Sequence, residues 1–250
     1  MQTTQQFDAN IENLTSLWKA MGVHADESAQ GSTLYASLNW PHRLWFDVRD
    51  PLGKEDARRW MDAAPQHSQP VVLPVWCRDG EPNLDASVEL EAAGYEVLFE
   101  QTVMSLDLSR WEPGQAGESD LELRKVTGDT STWAQLASSA FGYTVEEPVT
   151  ERILDHAGVD LMTALRDGRA VGTGLLFTEG GTAGIHLVGV PPEARRMGIA
   201  RKIMFRLLDE ARARGMRLAT LQASAMGEGL YRELGFEAQG HVRNYQLPLR

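Results

Sequence analysis

The chain has 250 residues, 42% hydrophobic and 24% charged, with a formal net charge of −11 at pH 7. No apolar run approaches the ~20 residues of a membrane span, the opening Met1-Gln2-Thr3-Thr4-Gln5-Gln6 lacks a secretory signal pattern, and the single Cys77 excludes an internal disulfide framework or a multi-cysteine zinc site. The expectation is a cytoplasmic protein without membrane or metal. Residues 1–120 hold 8 Lys/Arg and 20 Asp/Glu, residues 121–250 hold 16 and 15, so the acidic first half argues against a nucleic-acid groove. That acidity either keeps the surface soluble or helps attract a cationic acceptor.

In chain order, the first half reads as a helix over 11–21, a strand pair at 33–38 and 44–48, a helix over 54–63, a strand over 71–76 and a helix over 86–93. Gly94-Tyr95-Glu96 then opens a strand pair that closes on Leu106 and Leu108. Trp40, Trp45, Trp60 and Trp76 are expected in packed interior, and Cys77 as a buried small residue. Periodicity stops in the Gly-, Pro- and charge-rich stretch 109–120. The boundary is placed there, with domains 1–110 and 121–250 around a linker at 111–120.

The second half opens with a strand over 121–126 and helices over 130–140 and 149–157, the latter stopped by Gly158. A hairpin follows over 161–177 with its turn at Asp167-Gly168. A strand over 185–190 leads into a long helix over 199–214, closed by Gly215. A buried strand over 218–223, a short helix over 228–234 and two last strands complete the chain. Gly235-Phe236-Glu237, Leu247 and Leu249 repeat Gly94-Tyr95-Glu96, Leu106 and Leu108 at one offset of 141 residues, which points to an internal repeat. The fold class is α/β (α+β mixed).

The run from Val188-Gly189-Val190 through Pro191-Pro192 to Arg195-Arg196-Met197-Gly198-Ile199-Ala200-Arg201 carries the chemistry. Prolines end the strand because they cannot donate to a ladder. Gly198 allows close backbone approach. A helix N-terminus with basic neighbours then attracts an anion such as phosphate. The chain has no Gly-Lys-Ser/Thr of a nucleotide loop and no strand-linked Gly-x-Gly-x-x-Gly.

Together with Leu230-Tyr231-Arg232-Glu233-Leu234-Gly235-Phe236, this run resembles the GNAT acyl-CoA-dependent N-acetyltransferases over roughly residues 121–250. The resemblance implies two GNAT-like domains, each with a mixed, mostly antiparallel central sheet flanked by helices. It implies acetyl-CoA as cosubstrate, its pantetheine on Val188, Gly189 and Val190 and its pyrophosphate on Arg195, Arg196, Met197, Gly198, Ile199, Ala200 and Arg201. Tyr231 would protonate the leaving thiolate. The strand glutamate that serves some members as base falls on Gly184, so His186, which shares the strand parity of Gly184, Val188 and Val190, or a water is left as base. Glu146 and Glu147 lie where the acceptor pocket is often shaped.

At the 141 offset, Tyr231 falls on Leu90 and the turn falls on Lys54-Glu55-Asp56-Ala57-Arg58-Arg59, whose acids would repel a pyrophosphate. The first half is therefore expected to be a degenerate copy that binds no acetyl-CoA. It is left to complete the acceptor cleft or to mimic a dimer partner. The expected acceptor is a primary amine, small molecule or peptide, and the protein a monomer or homodimer. A non-catalytic acyl-CoA sensor and a transferase of longer acyl groups are the rival expectations.

Overall fold

The computed structural model describes residues 2–26, 32–49, 52–67, 69–80, 85–112 and 121–248. Most of the expected linker (113–120) and Leu249 lie outside them. In chain order the elements are α1 Gln2–Met21, β1 Val23–Asp26, β2 Leu34–Ser37, β3 Leu44–Trp45, α2 Lys54–Ala63, β4 Leu73–Arg78, α3 Asp85–Ala92 and β5 Glu96–Asp107. Then follow β6 Leu121–Lys125, α4 Ser131–Phe141, α5 Glu147–Leu154, β7 Val159–Arg166, β8 Arg169–Glu179, β9 Thr182–Gly189, α6 Ile199–Ala213, β10 Leu218–Ala223, α7 Glu228–Glu233 and β11 Glu237–Gln246. Internal contacts divide the chain into two compact units, Met1–Ser105 with Gln222–Arg250, and Leu106–Leu221.

In the first unit, α1 buries Phe7, Ile11, Leu14, Trp18 and Met21 at helical spacing. Strands β1-β2-β3 form a small antiparallel sheet. Trp40, Trp45, Trp60 and Trp76 are all buried, as expected. Trp18 meets Trp45 edge-on at 5.2 Å between ring centroids and Trp76 at 6.1 Å. Strand β11 lies between β4 and β5, antiparallel to both.

Two expectations change here. The strand pair expected after Gly94 is the single strand β5, and the pair after Gly235 is the single strand β11. Residues 96–107 contain no Gly, Pro or Asn to turn the chain. Gly240, the one glycine in β11, makes a bulge in the pairing with β5 instead. Cys77 is partly exposed rather than fully buried.

In the second unit the strand order is β10-β9-β8-β7-β6. The pairings are antiparallel except β9 with β10, which is parallel. This is the mixed, mostly antiparallel sheet expected. Asp167 and Gly168, at φ 50° and 74°, make the tight β7–β8 turn. Helix α6 buries Ile199, Ile203, Met204, Leu207, Leu208 and Ala211 at helical spacing. Helix α5 ends at Leu154, before the expected stop at Gly158. That glycine serves close backbone approach: a Cβ there would sit 2.5 Å from the Thr178 carbonyl oxygen.

Gly240 has φ 155°, and a Cβ on it would meet the Cys77 carbonyl oxygen at 2.2 Å and the Phe7 ring at 2.8 Å. Backbone cannot yield as a side-chain tip can. Gly240→Ala is expected to destabilise the protein by about 3 kcal/mol, at the upper end of overpacking costs. Urea unfolding checks this, as a lower midpoint with little change in slope.

Candidate functional site

The geometry of the 188–201 segment starts with bare strand. A Cβ on Gly172 would meet Ile203 at 2.9 Å and Ile199 at 3.1 Å, and one on Gly174 would meet Ile203 at 2.9 Å and Leu207 at 3.0 Å. These two β8 glycines let α6 lie directly on the strand backbone. At its far end Arg214 binds the buried Asp160 of β7, which Lys125 of β6 also engages. Both observations fix how α6 lies on the sheet.

Strand β9 is bulged. Thr173 pairs with Gly189 but Leu175 with His186, so two residues of β8 oppose three of β9. The extra residue is taken up around Leu187, whose φ is 50°. Few non-glycine residues adopt that conformation. Thr173 Oγ1 steadies it by donating to the Leu187 carbonyl at 2.9 Å. The parallel pairing of β9 with β10 ends at Gly184 opposite Thr220. Beyond that pair, β9 runs on through Ile185, His186, Leu187, Val188 and Gly189.

After the prolines the chain makes a short 3-10 turn, Pro192–Ala194. Arg196 then has φ 62° and Gly198 φ 70°, two left-handed residues with one between them. Gly198 is the N-cap of α6. This alternation turns successive backbone N–H groups toward one side. The first-turn amides of α6 add to them, having no intrahelical acceptors. No acidic residue stands in that first turn. The Arg195 guanidinium donates to the Val190 carbonyl at 3.0 Å and to the Ala140 carbonyl at 2.9 Å, tying the turn to the C-terminus of α4.

The ten residues from Val188 to Arg201 expected to hold a cofactor thus form one continuous feature of the second unit. His186 lies in the same strand and is buried, at 8% exposure. Its expected parity holds with Gly184 and fails beyond the bulge. The bulge puts His186 on the face of its partner Leu175, shared with Gly184 and Gly189 but not with Val188. Glu146 and Glu147 stand at the start of α5, partly exposed.

Tyr231 belongs to the first unit, on α7. A Cβ on Gly227 would meet its ring at 3.0 Å, and Phe236 meets the ring edge-on at 6.1 Å. Burial pushes the phenol up to about 12 from its ordinary value near 10. At neutral pH it therefore keeps its proton.

Sequence reasoning missed Thr173, Leu187 and the glycine pair of β8. A Gly-x-Gly inside a strand was a signal of close approach, while nothing in the sequence marks the bulge. Among the described residues, no group of three or more His, Cys, Asp or Glu could hold a metal ion, and no helix is long and apolar enough to cross a membrane.

Comparison with known proteins agrees with the motif reading. Residues 130–236 match the model of the Acetyltransferase (GNAT) family. A curated IAA acetyltransferase of Azospirillum brasilense is 36% identical over 92 residues, which are 35% of this chain and 60% of that protein. A GCN5-related N-acetyltransferase from Kribbella flavida shares the fold with a TM-score of 0.71 at 14% identity, over 98% of this chain and 96% of that one. A tandem GNAT protein from the clavulanic acid biosynthesis pathway gives a TM-score of 0.63 at 13% identity, over 97% and 96% of the two chains.

The two glycines of the segment are expected to respond differently. At Gly198 a Cβ meets nothing within 4 Å, so Gly198→Ala carries only the left-handed conformational cost, about 1 kcal/mol. At Gly189 a Cβ would meet Ala140 at 2.8 Å and Phe141 at 2.9 Å, so Gly189→Ala costs more, about 2 kcal/mol. Paired urea titrations check the order of the two.

Proposed function

We propose that this chain is an acetyl-CoA-dependent N-acetyltransferase that acetylates a primary amine by direct attack. One observation carries the reading: the left-handed turn runs straight into the α6 N-terminus, beside arginines and with no acid in the helix's first turn. That arrangement suits a pyrophosphate. The fit is supported by the open space at Gly198. The edge of β9 past its last pair with β10 offers backbone groups to the pantetheine arm. The family match over residues 130–236 supports acyl transfer.

Acetyl-CoA supplies the acetyl group already activated as a thioester. In this reading Val188, Gly189 and Val190 hold its arm, and Arg195 to Arg201 its pyrophosphate. Tyr231 holds a proton at Oη for the departing sulfur. A phenol near 12 is a weak acid beside a free thiol of about 8.5. Desolvation, however, raises the proton affinity of a thiolate as it does that of a phenolate. His186 takes the proton released by the amine, directly or through water.

The first half binds no second acetyl-CoA. Helices α2 and α6 begin 145 residues apart, as do β4 and β10. On that register Gly53, rather than the segment from Lys54, stands where Gly198 stands. The anion position at the start of α2 is filled internally, because Gly53 N–H donates to the Asp56 carboxylate at 3.0 Å. Glu55 adds a second acid to that first turn.

Gly198→Glu is expected to abolish acetyl-CoA binding in calorimetry, and the unaltered protein to bind one acetyl-CoA per chain. Normal binding by the variant, or a stoichiometry of two, overturns the assignment. Tyr231→Phe should lower kcat by about 10²-fold, read as thiol release over a panel of amines, with acetyl-CoA affinity unchanged. If acetyl-CoA binds but no amine in the panel releases thiol, the chain is an acyl-CoA sensor; unchanged turnover in the variant removes the role of Tyr231. Because the phenol stays protonated, kcat should show no alkaline limb from Tyr231 up to about pH 10.

A further inference from the structure

Helix α7 has only six residues. So short a helix has little stability of its own, yet in the proposed reaction it must hold Tyr231 in one place. The side chains that fix it come from the first hundred residues or so. Thr102 of β5, 8% exposed, donates from Oγ1 to Glu228, the first residue of α7, at 2.9 Å. Glu228 also takes Arg232 Nε at 2.8 Å, closing one turn of the helix around Tyr231. Its carboxyl is held below the ordinary range by the bonds from Arg232 and Thr102.

The approach to the helix is clamped as well. Gln222 donates from Nε2 to Asn10 Oδ1 at 2.6 Å, and its carbonyl accepts Gln101 Nε2 at 3.3 Å. Asn10 is wholly buried on α1 and donates to the Met104 carbonyl of β5 at 2.8 Å. The chain from Gln222 to Glu228 is thus gripped at both ends by residues about 120 to 210 positions earlier. Buried polar groups bonded this way are costly to move, since an unmade bond exposes the full desolvation penalty.

We propose that Thr102 and Asn10 are positioning residues for Tyr231, acting through Glu228 and Gln222. The proposal rests on the acetyltransferase reading for its effect on turnover, but not for its effect on Tyr231 itself. The degenerate half, which has no cofactor turn of its own, thereby orients the proton donor.

Thr102→Val keeps the side-chain shape and removes the donor, leaving Glu228 paired with Arg232. With acetyl-CoA and an amine found active in the panel, kcat should fall about tenfold. The KM for acetyl-CoA should stay unchanged, and Thr102→Ser should restore the rate. In a Tyr231→Phe background the same change should have no further effect, because the group it positions is gone. Losses that multiply instead show a general structural role and overturn the proposal. A second measurement needs no acceptor. In protein carrying 13C-tyrosine, the Tyr231 ring signal is identified by its loss in Tyr231→Phe. Thr102→Val should shift that signal. An unmoved signal overturns the proposal. If Tyr231→Phe leaves kcat intact, the catalytic role of Tyr231 falls, and the ring signal alone decides the positioning.

Discussion

How closely α6 lies on β8 governs the geometry of the turn. A Cβ at Gly172 or Gly174 would press on the side chains of Ile199, Ile203 and Leu207 at 2.9 to 3.1 Å, and at Gly172 on the Gly189 carbonyl at 3.2 Å. Close packing transmits such strain rather than absorbing it. Gly189 repeats the device on the opposite face, where Ala140 and Phe141 approach the end of β9. The segment from Val188 to Arg201 is therefore held between two close approaches, each possible because a Cβ is missing. The guanidinium of Arg195, bonded to carbonyls of Val190 and Ala140, completes the hold. An arginine that the sequence offered as positive charge for a ligand is used in part to shape the turn.

The two halves treat the same local problem in opposite ways. Every helix start leaves amides without partners. At α2 the chain supplies its own acceptor, Asp56, three residues into the helix. At α6 no acid stands in the first turn, so no side chain of that turn takes those groups up in the same way. A difference of one residue type thus separates a helix start closed by its own carboxylate from one that is not.

Much of this is legible in the residues. The runs 54–63 and 218–223 show their observed ends, because an amphipathic or apolar run meets clear stop signals on both sides. The buried tryptophans and the face of α6 follow from periodicity. The turn at 195–201 is legible because Gly, Pro and Arg each restrict the backbone or the charge in a known way. The single long strands β5 and β11 are not, because an uninterrupted ladder depends on partners distant in sequence, which no local window contains. The bulge at Leu187 escapes for a related reason. It is defined by counting residues on two strands, and the parity expected for His186 fails beyond it. The network from Asn10 to Gln222 spans 212 residues and has no local signature.

Strand β11 has a consequence for how the molecule could be divided. It is hydrogen-bonded on one edge to β4 and on the other to β5. A fragment beginning at residue 121 would keep β11 and lose both neighbours, leaving two open ladder edges, and open edges invite aggregation. The segment with the family's sequence pattern is therefore not the segment that satisfies its own backbone. The segment from residue 121 onward depends on β4 and β5, from the first hundred or so residues, to close both ladder edges of β11.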